Sequence, residues 1–259
     1  MLKLVFLDLD NTLLNSQKTV SFKTASMIKE LSQKGIKFII NTGRLPYNVE
    51  YLSEFVDTSN LVCGNGSYIK INNEIIYDRP CIKEDAYKII DYSKRINVGP
   101  RVFFVDGVYS FVEVPTLPTF KVEVLSESNL LDKISKENVY KVCFVKEDSS
   151  VLGDVTDFIH SNLDNSIAEL SNPRFLESHH KDACKGAGID KICELLNIKN
   201  DEVLAIGDNE NDLSMFNRGY HSAGPSNSSD SVKNVVEYVS KFDCDNDAIV
   251  DIVKHFMWP

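Results

Sequence analysis

The chain has 259 residues, enough for one to two domains of ordinary size, and 43% of them are hydrophobic and 25% charged, which excludes an intrinsically disordered chain. Against 28 Lys and Arg stand 38 Asp and Glu, a net charge of −10 with a sequence pI near 5.0. No basic field is therefore on offer to a nucleic-acid backbone or an anionic membrane surface, and an anionic substrate would need a metal ion or a few well-placed donors.

In chain order, Leu4-Val5-Phe6-Leu7 is a continuous apolar run that suits a strand buried on both faces. Ser21 can cap a helix carrying Ala25, Ile28 and Leu31, which Gly35 ends. Residues 36–40 read as the next strand, Pro46 as the start of another helix, and Leu61-Val62-Cys63 as a third strand stopped by Gly64-Asn65-Gly66. Strands alternating with helices at this spacing predict an α/β chain with a parallel sheet. The middle differs. Asn72-Asn73 and Asp106-Gly107 read as hairpin turns, 84–96 and 151–163 as helices, and 139–145 and 174–177 as strands. This mixture predicts a separate α+β domain inserted at 80–179 between core segments 1–79 and 180–259. The parallel pattern then resumes. A helix carries Ile189, Ile192, Cys193 and Leu196, and a strand spans 203–206. Short elements follow at 230–235 and 237–239, with a last helix at 246–256 and residues 222–231 as a loop.

The six cysteines, Cys63, Cys81, Cys143, Cys184, Cys193 and Cys244, form no C-x-x-C pair and read as buried free thiols. The N-terminus meets Asp8 and Asp10 too soon for a secretory leader, and no apolar run reaches the ~20 residues of a membrane helix. The expectation is a cytoplasmic protein.

Four segments carry chemistry. In Asp8-Leu9-Asp10-Asn11-Thr12 two carboxylates at i and i+2 fall on one side of a strand end, where open α/β sheets collect ligands. Like charges held together need a cation, and hard oxygen ligands favour Mg²⁺, although an Asp pair can also end a strand as a solvated turn. Thr42-Gly43-Arg44 leaves a strand for a helix, a place where a hydroxyl and backbone N–H groups can hold a phosphate oxygen or merely turn the chain. Lys185-Gly186 puts a cation at a helix N-terminus, against the dipole preference. In Gly207-Asp208-Asn209-Glu210-Asn211-Asp212 a buried strand runs into two carboxylates four residues apart. Four aspartates at two strand ends ask for balance by one Mg²⁺ and one lysine.

In this order the four segments resemble the sequence motifs of the haloacid dehalogenase-like hydrolases, and more closely the Cof-type phosphatases, over nearly the whole chain. The resemblance implies a Rossmann-like parallel-sheet core, a cap at 80–179 that selects substrate, and an Mg²⁺-dependent phosphatase. Carried over by position, Asp8 would be the nucleophile. Asp10 would protonate the leaving oxygen and later deprotonate water. Thr42, Gly43, Lys185 and Asn211 would bind the phosphoryl group. Asp8, Asp10 through its backbone carbonyl, and Asp208 would ligate the metal, and Asp212 would complete the metal site, orienting Lys185 or a metal-bound water. Asn11 stands where glycine is usual, and Gly64-Asn65-Gly66-Ser67 and Ala223-Gly224-Pro225-Ser226 depart from the family pattern. His179-His180 is unusual before Lys185 and reads as a solvated pair, with a substrate-side or adventitious metal contact as the alternative.

The expected partner is a small phosphorylated molecule, such as a sugar phosphate or a cofactor or nucleotide phosphate, with no nucleic acid or membrane partner and a monomer or weak homodimer as the assembly. Rival readings are a phosphotransferase of the hexose phosphomutase kind and a non-enzymatic phospho-accepting signalling protein. The second needs only ~120 residues and no large insertion.

Overall fold

The computed structural model of the chain describes residues 1–115, 120–145, 149–172 and 174–257. The chain forms two compact units, one of Met1–Arg44, Val49–Tyr77 and Cys184–Pro259, the other of Leu45–Asn48 and Asp78–Ala183.

The first unit opens with strand β1 (Leu4–Leu7), whose four side chains are all excluded from solvent. Helix α1 (Phe22–Gln33) starts where Ser21 Oγ accepts from Thr24 N at 3.1 Å, and Gly35 at φ +92° turns the chain out of it. Strand β2 (Lys37–Asn41) follows. The helix expected at Pro46 is replaced by two 3₁₀ turns, Pro46–Asn48 and Glu50–Glu54. The buried residues Pro46, Val49 and Leu52 recur every third position, which suits three residues per turn rather than 3.6. Strands β3 (Leu61–Cys63), β4 (Tyr68–Ile71) and β5 (Glu74–Asp78) complete this stretch. Asn72 and Asn73, at φ +50° and +66°, form the tight turn between β4 and β5.

The second unit runs through α2 (Lys83–Arg95), β6 (Arg101–Phe104), β7 (Gly107–Ser110), β8 (Val122–Val124), α3 (Glu127–Lys136), β9 (Lys141–Val145), α4 (Ser149–Asn162), β10 (Ser166–Asn172) and β11 (Phe175–His180). The β6–β7 turn is centred on Val105-Asp106, one residue earlier than expected, and neither Asp106 nor Gly107 has positive φ. The Asp106 carboxylate accepts from Tyr109 Oη and Lys133 Nζ, contacts that hold it on the turn. Elements β8, α3 and β10 have no counterpart in the sequence expectations. The sheet order is β10-β11-β9-β6-β7-β8, antiparallel except for the β7–β8 pair. One face packs Val102, Phe104, Val142, Phe144 and Leu176 against the helices, so the alternate positions Arg101, Lys141, Cys143, Glu177 and His179 share the opposite face. His179 and His180 are buried, not solvated as expected. Both lie in β11, where His179 is 3.5 Å from Glu169 and His180 Nδ1 accepts from Asp182 N.

The chain then rejoins the first unit through α5 (Lys185–Leu196), β12 (Val203–Ile206), α6 (Leu213–Phe216), β13 (His221–Gly224), α7 (Asp230–Lys233), β14 (Tyr238–Val239) and α8 (Ala248–Met257). Strand β13 corrects the loop expected from residue 222 onward. Ser222, Ala223 and Gly224 are polar or small, yet they are buried, and Gly224 has no room for a Cβ, which would lie 2.6 Å from Ser228 Oγ. The sheet order β14-β13-β12-β1-β2-β3-β4-β5 is parallel from β14 through β3 and turns antiparallel at β4. This is the expected α/β fold class: a Rossmann-like parallel sheet in one unit and an inserted α+β unit. The core on one face of the first sheet joins Leu4, Phe6, Ile39, Val62, Val203 and Ala205 to Ile189, Ile192 and Met215.

Close approach dictates the glycine after Lys185. A Cβ on Gly186 would lie 1.9 Å from Ser214 O and 2.3 Å from Arg218 Nε, whereas one on Gly153 in α4 meets nothing within 4 Å. Gly186→Ala is expected to lower unfolding stability by about 2–3 kcal/mol through overpacking. Gly153→Ala should raise it by about 0.5–1 kcal/mol through helix propensity. Urea unfolding of the two variants checks the pair.

Candidate active site

Strand β1 lies between β12 and β2, all three parallel, so the segments that follow them leave the sheet at one edge. The ladder runs one residue past each strand: Asp8 N donates to Ile206 O at 2.9 Å, Thr42 N to Val62 O at 2.9 Å and Gly207 N to Ala223 O at 3.2 Å. Asp8 and Thr42 are thereby placed by ladder hydrogen bonds rather than by loops, and Asp208 follows the last ladder residue, Gly207, at the edge where open parallel sheets bind ligands.

Lys185, at the first turn of α5, is fully buried, and its Nζ donates to Asp8 Oδ1 at 2.5 Å and Asp212 Oδ1 at 2.6 Å. Asn41 Nδ2 donates to Lys185 O at 3.1 Å and ties the helix start to the end of β2. The second oxygen of Asp212 accepts from Asp208 N at 2.9 Å and Asn209 N at 3.0 Å, so both Asp212 oxygens are engaged by the protein. Gly207 permits this turn, since a Cβ there would lie 2.4 Å from Asp212 Cγ. Thr12 Oγ1 donates to Asp208 Oδ1 at 2.8 Å, linking the first acidic segment to the last.

Asp8, Asp208 and Asp212 each offer an oxygen within 4.8 Å of the others. Three carboxylates and one ammonium leave two negative charges in a buried space, which a single divalent cation with a preference for hard oxygen ligands would balance. Without one, the cluster resists full ionisation. Burial, and then the neighbouring Asp212 and Asp208, push the Asp8 carboxyl well above its ordinary range despite Lys185. Burial and Asp212 likewise raise Asp208 to about 6. Burial works against the Lys185 charge, but Asp212 and Asp8 outweigh it and hold the ammonium above its usual value.

The Asp10 carboxylate stands apart from this cluster. Arg44 grips it with Nε on Oδ2 at 2.8 Å and Nη2 on Oδ1 at 2.6 Å, and Lys18 Nζ reaches Oδ1 at 2.9 Å. Partial burial opposes ionisation of Asp10, but these two cations outweigh it and hold the carboxyl below its ordinary value. Its side chain is thus not in the acidic cluster.

Thr42 is buried, and its Oγ1 accepts from Arg44 N at 3.2 Å. Asn65, in the left-handed region at φ +54°, accepts from Asn211 Nδ2 at 3.3 Å, and its Oδ1 would lie 2.9 Å from a Cβ on Gly43. Asn65 therefore joins the Thr42-Gly43 and Asn211 segments. The structure brings Asp8, Lys185, Asp208 and Asp212 into direct contact, gathers Gly43 and Asn211 around Asn65, and sets Asp10 in its own cationic clamp. Sequence reasoning gave no role to Thr12, Lys18, Arg44 or Asn65. Thr12 and Arg44 were visible inside their motifs and Asn65 as a glycine-flanked asparagine, whereas nothing marked Lys18.

The family model described as haloacid dehalogenase-like hydrolase matches residues 5–253. The 5-amino-6-(5-phospho-D-ribitylamino)uracil phosphatase YcsE of Bacillus subtilis (strain 168) is 24% identical over 258 residues, covering 99% of this chain and 96% of that protein. A haloacid dehalogenase-like hydrolase from Bacteroides thetaiotaomicron superposes with a TM-score of 0.89 at 21% identity, covering 98% and 99% of the two chains. The subclass IIB sugar phosphatase BT4131 superposes with a TM-score of 0.81 at 21% identity, covering 98% and 99%.

The raised Asp208 carboxyl has a consequence for stability. Folded Asp208 keeps its proton up to about pH 6, whereas the unfolded group loses it near 3.8, so its contribution falls as pH rises between those values. In metal-free protein, Asp208→Asn should gain on the wild type by about 2 kcal/mol between pH 4.5 and pH 8. Paired urea titrations in EDTA across that range measure the gap.

Proposed function

The chain belongs to the haloacid dehalogenase-like hydrolases, and from that premise we propose an Mg²⁺-dependent phosphoric monoester hydrolase that acts on a small organophosphate through an aspartyl-phosphate on Asp8. The observation that carries this reading is the buried Lys185 shared between Asp8 and Asp212 beside the Asp208 carboxylate.

Asp8, Asp208 and the backbone carbonyl of Asp10 would hold the metal ion, which when bound screens the repulsion between a carboxylate nucleophile and a phosphate dianion. Lys185 offsets the same repulsion from the protein side, and Asp212 keeps its ammonium in place. Asp8 attacks phosphorus as the ester P–O bond breaks, and Asp10, which must first take up a proton from water against the pull of Arg44 and Lys18, passes it to the departing oxygen. Asp10 then takes a proton from water as the water oxygen attacks phosphorus and frees Asp8. Thr42, Gly43 and Asn211 supply donors to the phosphoryl oxygens. The second unit, which carries none of these groups, would choose the organic part of the substrate. Sugar phosphates and cofactor or nucleotide phosphates lead as substrates, and the phosphoribitylamino compound named for the Bacillus subtilis relative combines features of both.

A screen of phosphate release from such metabolites tests the reading. Release should vanish in EDTA and return on adding Mg²⁺, and turnover that survives exhaustive chelation would refute the metal assignment. Asp8→Asn keeps size and removes the nucleophile's charge, so turnover should fall by at least ~10³-fold, about 4 kcal/mol of barrier. Labelled phosphate trapped during turnover should map to Asp8 by mass spectrometry, and a label on another residue would rule out this mechanism.

A further inference from the structure

We propose that Asn65 is a positioning residue that turns the Asn211 amide so that an N–H, and not its carbonyl oxygen, is offered to the phosphoryl group. The inference rests on the hydrolase reading above, in which Asn211 and the Thr42-Gly43 segment bind that group, and adds to it the residue that aims Asn211.

A side-chain amide has two ends of opposite character: the nitrogen carries two donors, and the oxygen only accepts. Toward a phosphate dianion the nitrogen end attracts and the oxygen end repels. Which end faces the site is set by what else the amide bonds. Asn211 Nδ2 donates to Asn65 Oδ1 at 3.3 Å, which leaves the second hydrogen of the same nitrogen for an oxygen acceptor. The flipped amide would set the Asn211 oxygen against the Asn65 oxygen.

A hydrogen bond of 3.3 Å is long, and the frame around Asn65 is what gives it weight. Asn65 is only 9% exposed and lies at φ +54°, between Gly64 at +57° and Gly66 at +92°. Two backbone bonds sew this turn to the segment after β2: Asn65 N donates to Thr42 O at 3.0 Å and Gly64 N to Arg44 O at 2.9 Å. On its other side the turn packs on the start of α5, where a Cβ on Gly66 would lie 2.3 Å from Cys184 O. The side chain then lies across Gly43, whose missing Cβ would fall 2.9 Å from Asn65 Oδ1. Glycine would meet the left-handed backbone requirement at position 65 without strain, as it does on both sides. What asparagine adds there, in a conformation it tolerates better than most residues, is the acceptor that Asn211 uses.

The test is how much Asn211→Ala costs in different backgrounds. The readout is the inhibition constant of orthovanadate, a phosphoryl mimic, against p-nitrophenyl phosphate turnover with Mg²⁺ present. In the wild type, Asn211→Ala should weaken inhibition at least ~10-fold, the scale of one hydrogen bond to a charged group. Asn65→Asp tolerates the left-handed angle and keeps an acceptor, so the full cost of Asn211→Ala should persist there. Asn65→Gly keeps the angle and removes the acceptor. It should weaken inhibition by itself, and adding Asn211→Ala should then cost less than ~2-fold. Asn65→Ala replaces it in the comparison if three successive glycines unfold the turn. Equal costs of Asn211→Ala in every background, or a cost below ~2-fold in the wild type, overturn the positioning role. Ser67→Ala controls for the loop as a whole. Ser67 Oγ is buried with no partner among the described residues, so inhibition should hold, and a loss matching that of Asn65→Gly would also overturn the proposal. Asp8→Asn keeps the two readings apart. If it still turns over p-nitrophenyl phosphate, the hydrolase reading fails and this inference with it, whereas equal costs with Asp8→Asn inactive refute the positioning role alone.

Discussion

Everything at the candidate active site depends on one buried ammonium. Lys185 has no access to solvent, and taking a lysine out of water costs several kcal/mol unless opposite charge replaces the lost hydration. Asp8 and Asp212 supply that charge at 2.5 and 2.6 Å. The arrangement overshoots, because Asp208 joins them and leaves an acidic excess in a space of low dielectric. A single divalent cation would offset that excess.

The fold serves that constraint by making the charged groups rigid. Asp8, Thr42 and Asp208 are each the first or second residue beyond a central parallel strand, and α5 presents Lys185 from its first turn. Close packing maintains the placement. Gly186 lets α5 approach α6, and Gly207 lets the chain fold back so that Asp212 can accept from two backbone N–H groups. A Cβ at either glycine would displace a charged residue, so the glycines of the motifs are part of the electrostatics.

Two aspartates two residues apart meet opposite environments. Asp8 is enclosed among carboxylates and pushed toward its neutral form, while Asp10 lies between two cations and is held ionised. The partition is made by Arg44 and Lys18, which come from different segments and meet at Asp10.

By itself the sequence determined the α/β class with its parallel sheet, and it nominated Asp8, Asp10, Thr42, Lys185, Asp208 and Asp212 for a common site, because apolar runs ending in charged or glycine-rich segments report local structure directly. It misjudged elements whose character depends on partners. Strand β13 looks like a loop because its residues are polar or small, and pairing with β12 and β14 makes it a strand. Asp106-Gly107 looks like a turn centre, and the contacts of Asp106 with Tyr109 and Lys133 accompany a turn one residue earlier. His179 and His180 look solvated, yet both are buried. Lys18 carried no signal at all. Its ion pair with Asp10 comes from a left-handed backbone angle and a distance of 2.9 Å to a carboxylate eight residues earlier. Hydrophobic period and motif spacing are local and legible along a chain, whereas burial and the pairing of charges are decided only when distant segments meet.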